Sequence, residues 1–115
     1  MRDMKVRIAM SADAMDHFEA CHKTYGRQAQ EDVLIEEMAE LTKAVLKHRR
    51  AERCGSKVGT VNARNAIVDE LADVTIMIAQ LWAIWEIENI IDPEWLTEWI
   101  RNKLERQAIR LEGGN

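Results

Sequence analysis

One proline in 115 residues, Pro93, and only five glycines leave this chain few places to turn. Glycine and proline are the strongest local breakers of regular structure. The rest is rich in Ala, Leu, Glu, Arg and Ile, residues that form helices readily or tolerate them well. The expected architecture is therefore all-α, with long helices and short connections, in a single domain spanning 1–115.

Four helices can be marked. Ser11 is expected to cap a first helix reaching about Lys23, with Gly26 stopping it. A second should run from about Gln28 to Arg53, since Leu34, Met38, Leu41 and Val45 recur at helical spacing. Cys54 to Val61, with Gly55, Ser56 and Gly59, reads as a mobile, partly basic loop. Asn62 is then expected to cap a third helix from Ala63 to about Ile90. Its stripe of Ile67, Leu71, Val74 and Ile78 is supplemented by Ile76, Met77 and Ile84 outside it, the pattern of a helix buried on most sides. Asp92 before Pro93 is a strong start signal for a fourth helix to about Leu111, ended by Gly113-Gly114. A helix as apolar as the third is not comfortable in a lone monomer. The four-helix bundle is therefore expected to be completed by oligomerisation, as a homodimer or a dimer of dimers.

Charge and cysteine usage bound the partners. A net charge of −4 argues mildly against a nucleic-acid surface, which needs a dominant basic patch. Cys21 and Cys54 form no spaced motif and suit a reducing compartment. Met1 to Met10 lacks the apolar stretch of a signal peptide. Val74 to Ile91, the richest apolar run, is broken by Thr75, Gln80, Glu86, Glu88 and Asn89, and reads as a buried helix rather than a membrane span. A cytoplasmic protein with no nucleic-acid and no membrane partner is expected.

A short internal similarity carries the chemistry. Ile35-Glu36-Glu37-Met38-Ala39-Glu40-Leu41-Thr42 matches Val68-Asp69-Glu70-Leu71-Ala72-Asp73-Val74-Thr75 position by position, each pair identical or chemically close. Residues three apart on a helix share a face, so Glu37 projects with Glu40 and Glu70 with Asp73. Each pair borders its helix's apolar stripe, and packing the stripes together brings the pairs face to face. Four converging anions repel, and a raised pKa, basic partners or a metal must offset this. A cluster of oxygens alone suits Mg²⁺ or Mn²⁺, and facing helices of bundles commonly supply such carboxylates. A single E-x-x-E is ordinary on a solvated helix face; the repeat on two apolar helices is what singles these acids out.

At these residues the sequence resembles the MazG-like, all-α NTP pyrophosphatase superfamily, which shows E-E-x-x-E on one helix and E-x-x-D on the next. The motifs here are Glu36-Glu37-Met38-Ala39-Glu40 and Glu70-Leu71-Ala72-Asp73, and the similarity extends over roughly Tyr25 to Leu111. The stretch between Glu40 and Glu70 is slightly longer than the family's common range, which suggests an insertion in the Gly-containing loop. The resemblance implies Mg²⁺-dependent hydrolysis of a nucleoside or deoxynucleoside triphosphate to monophosphate and pyrophosphate, with Mn²⁺ able to substitute. It implies Glu37, Glu40, Glu70 and Asp73 as metal ligands, and Glu36 as a further ligand or a water-orienting base.

Lys47, seven residues beyond Glu40 on its side of the helix, and Arg50 are expected at the substrate's phosphates, with Gln30 and Asn65 as candidates for base or sugar contacts. Trp82, Trp85, Trp95 and Trp99 read chiefly as core or interface residues. Glu19 and His22 form one E-x-x-H, but di-iron bundles need two. The competing reading is a catalytically silent helical interaction module of the same fold.

Overall fold

The computed structural model describes residues 12–113. They form four helices: α1 (Ala12–Tyr25), α2 (Arg27–Cys54), α3 (Lys57–Ile87) and α4 (Pro93–Glu112). No strand occurs among the described residues, so the all-α class holds. None of these helices is long and apolar enough to cross a membrane. Ser11, expected to cap α1, lies outside the described residues.

The connections follow from local chemistry. Gly26 ends α1 at φ 81°, and its N–H donates to the His22 carbonyl at 3.0 Å. Gly55 closes α2 in the left-handed region, φ 72°, its N–H shared between the Ala51 and Glu52 carbonyls. A residue with a side chain is strained there, and glycine is not. The Asp92 carboxylate accepts from the N–H groups of Glu94 and Trp95 at 2.9 and 3.2 Å and so caps α4, with Pro93 in the first turn as the sequence predicts.

The expected loop from Cys54 to Val61 is absent. Ser56, rather than Asn62, caps α3. Its Oγ accepts from the Gly59 N–H at 3.0 Å and its carbonyl from the Thr60 N–H at 2.9 Å. A Cβ at Gly59 would meet that Oγ at 3.0 Å, so the glycine leaves the cap room. The turn shrinks to Gly55-Ser56, Asn62 lies inside α3, and the long Glu40–Glu70 interval is taken up in helix. At its other end α3 stops at Ile87, short of Ile90.

The chain divides into two compact units, Met1–Ala83 and Ile84–Asn115. The first holds α1, α2 and α3 as far as Ala83, with Phe18, Leu34, Ala44, Val74, Met77, Ala79 and Leu81 buried. Within it α2 and α3 run antiparallel in constant register. Gln80 donates a side-chain hydrogen bond to Gln30, Glu37 meets Asp73, and Ala51 lies beside Gly59. Seven residues forward along α2 are matched by seven back along α3, two turns of each helix. The α2 face turned to α3 is thus Gln30, Leu34, Glu37, Leu41 and Ala44, all buried or half-buried. Met38 and Val45, expected on that face, are exposed, as are Leu71 and Ile76 of α3. In the second unit Ile84 is buried, while α4 has no buried residue. Its Trp95 and Trp99 pack edge to face with ring centroids 6.0 Å apart, and the Lys103 ammonium lies 5.9 Å from the Trp99 ring.

Candidate metal centre

The register that joins Gln30 to Gln80 also brings three acids together one heptad away. One carboxylate oxygen from each of Glu37, Glu70 and Asp73 lies within 4.8 Å of the others. Glu37 comes from α2; Glu70 and Asp73, three apart and on one face, come from α3. Both glutamates are half-buried, because each occupies a position of the helix–helix seam that an apolar residue usually fills.

Their electrostatics follow from that placement. The Glu37 carboxyl is held above the ordinary value of 4.5, first by burial, then by the nearby Asp73 and Glu70 carboxylates. Glu70 is likewise raised, first by burial, then by the charges of Asp69, Asp73 and Glu40. A proton on one of the carboxyls relieves like-charge crowding that water cannot fully screen. A divalent cation can do the same with more charge, and a set made only of carboxylates suits a hard one.

The remaining expected residues take different places. Glu40 is exposed and sits outside the three-acid group, 3.4 Å from the Lys43 ammonium, though its charge still acts on Glu70. Glu36 is exposed on the adjoining face of α2. Lys47 and Arg50 are exposed, about 10 and 15 Å along α2 from Glu40. Asn65 is exposed on α3. Gln30, expected at the substrate, is 6% exposed and accepts from Gln80; its place is the hairpin core, where a buried amide is satisfied by another amide. The Gln30–Gln80 pair is the feature the sequence reading missed. The seven-residue spacing of Gln30, Glu37 and Ala44 was its signal.

No family model, no curated protein and no solved structure matches the chain.

Proposed function

We propose that the chain is a metal-dependent nucleoside triphosphate pyrophosphohydrolase of the MazG-like, all-α kind. The observation that carries the reading is the convergence of Glu37, Glu70 and Asp73, half-buried between two antiparallel helices with their oxygens within 4.8 Å. Carboxylates placed so, with nothing basic among them, favour a cation.

In this reading Glu37, Glu70 and Asp73 hold Mg²⁺, or Mn²⁺ in its place, with Glu40 as a fourth ligand once freed from Lys43. The cation supplies charge neutralisation at the phosphoryl oxygens and a more acidic bound water. Glu36, exposed beside the cluster, orients the attacking water and takes its proton. Lys47, about 10 Å along α2 from Glu40, meets the leaving pyrophosphate, with Arg50 a turn farther on. Asn65 is left to contact the sugar or base. Water adds to the α-phosphorus, the bond to the bridging oxygen breaks, and monophosphate and pyrophosphate leave. Phosphoryl transfer asks little more of a protein than this positioning and charge neutralisation.

Assembly belongs to the same proposal. Met38, Val45 and Leu71 are exposed apolar residues of the α2–α3 hairpin, and a second copy of the chain would cover them. Light scattering that gives only the 13.3 kDa monomer at micromolar concentration would refute that part.

The test is a panel of NTPs and dNTPs incubated with and without Mg²⁺, with the products resolved and the Glu70→Gln variant alongside. Monophosphate plus pyrophosphate, dependent on metal and lost in the variant, is the expected result. Diphosphate plus orthophosphate would overturn cleavage at the α-phosphorus. No turnover with metal still bound would favour the silent interaction module.

A further inference from the structure

The charge that an average of −4 conceals is concentrated at the tip of the α2–α3 hairpin. Between residues 43 and 64 stand seven Lys and Arg against one acid, Glu52. Lys43 is paired with Glu40. The other six (Lys47, Arg49, Arg50, Arg53, Lys57 and Arg64) are exposed and make no ion pair among the described residues.

Helix stability does not account for them. The negative end of the α2 dipole favours cations in the last turn, yet only Arg53 lies there. The positive end of α3 favours acids, yet its first turn has none and begins with Lys57. Service to the acidic cluster accounts only for Lys47 and Arg50, proposed above at the leaving pyrophosphate. Arg53 is about 24 Å along α2 from Glu37, farther than a triphosphate chain spans, and Lys57, at the start of α3, is about 20 Å from Glu70. Lys57 and Arg64, with Glu52 and Thr60, line an open groove of about 430 Å³ at the turn. Arg49 and Arg53 stand one turn apart on α2 at the same end.

We infer that this tip is a docking surface for the phosphate backbone of double-stranded nucleic acid. Four of the six cations are arginines, whose planar fork grips phosphate with two hydrogen bonds. The tip also offers a neutral donor of the kind that phosphate contacts use, the exposed Asn62 amide. It has no Phe, Tyr or Trp between residues 43 and 64, so it lacks the stacking platform that single strands require. The contact is therefore to backbone, without sequence preference and strongly dependent on salt.

The test is fluorescence anisotropy of a labelled random-sequence DNA duplex, titrated with the full chain across roughly 50 to 200 mM salt. The triple variant Arg49→Gln/Arg53→Gln/Arg64→Gln, checked by circular dichroism for an unchanged fold, should weaken binding and lower the slope of log K against log salt by about 3. The matching lysine triple should keep the slope. Arg101→Gln/Arg106→Gln/Arg110→Gln on α4 removes the same charge elsewhere and should leave binding as it was. Equal weakening by the α4 triple would reduce the effect to net charge and overturn the proposal. So would absence of duplex binding at the lowest salt, or binding to phosphatidylserine vesicles in place of the duplex. Nucleotide turnover is read separately, and its loss or presence does not bear on the outcome.

Discussion

The middle and the tip of one helical hairpin crowd like charges, and they resolve the crowding in opposite ways. At the tip six cations stand in water, where solvent and salt screen them and each can remain charged without a partner. In the middle Glu37 and Glu70 are half-buried, screening is weaker, and both carboxyls are pushed up, with burial the first cause. Position in the seam, more than the number of charges, decides which cluster needs a counterion. The same seam position ties Glu37 to the fold and to the proposed function together, since it is flanked by Leu34 and Leu41 on the face that packs against α3.

The largest expected effect falls in the middle. Glu70→Gln should reduce metal-dependent turnover by about a hundredfold or more, the scale of losing one group that stabilises transition-state charge. With metal removed, the same variant should melt at a higher temperature than the wild type, because the crowding is relieved. Its loss of activity with an unchanged or lower metal-free melting temperature would break the electrostatic account of the middle.

A pH series sharpens this. Glu37 and Glu70 bind protons more tightly folded than unfolded, so their contribution to stability is complete below the ordinary carboxylate value of 4.5 and is lost as pH rises through the raised folded values. The metal-free protein should therefore lose melting temperature as pH rises above 4.5, and saturating Mg²⁺ should flatten the trend. A metal-free curve that rises over that window would contradict the assignment.

At the tip the backbone matters more to stability than the charges do. Gly55→Ala places a side chain in the left-handed region at φ 72°, with open space around it, and should cost about 1–2 kcal/mol in a denaturant titration. Ser56→Ala removes the α3 cap and should cost about 1 kcal/mol. Arg53→Gln, an exposed charge, should change stability by no more than about 0.5 kcal/mol. A substantial gain from Arg53→Gln would mean that the tip, too, is strained by its charges.

This contrast also explains what could be read in advance. Four helices, the Asp92 cap and the stop at Gly26 follow from local chemistry that a sequence displays directly. Ser56 misled because a serine between two nearby glycines, Gly55 before it and Gly59 three residues on, is as typical of a loop as of a cap, and only the fit of its Oγ to the Gly59 N–H separates the two. The seam misled differently. Apolar periodicity selected Met38 and Val45, whereas tertiary packing selected the face of Gln30, Glu37 and Ala44, whose polar members pair across the hairpin. Glu37, Glu70 and Asp73 were legible as a group through the internal repeat. That Glu40 lies apart from them, paired with Lys43, depends on a choice between neighbours that the repeat does not encode.

The most direct test of the middle as a cation site is calorimetric titration of the wild type and of Glu70→Gln with Mn²⁺ at pH 7. Saturable binding by the wild type, abolished in Glu70→Gln, is the predicted result. Binding that survives in Glu70→Gln, or no saturable binding at all, would contradict the account.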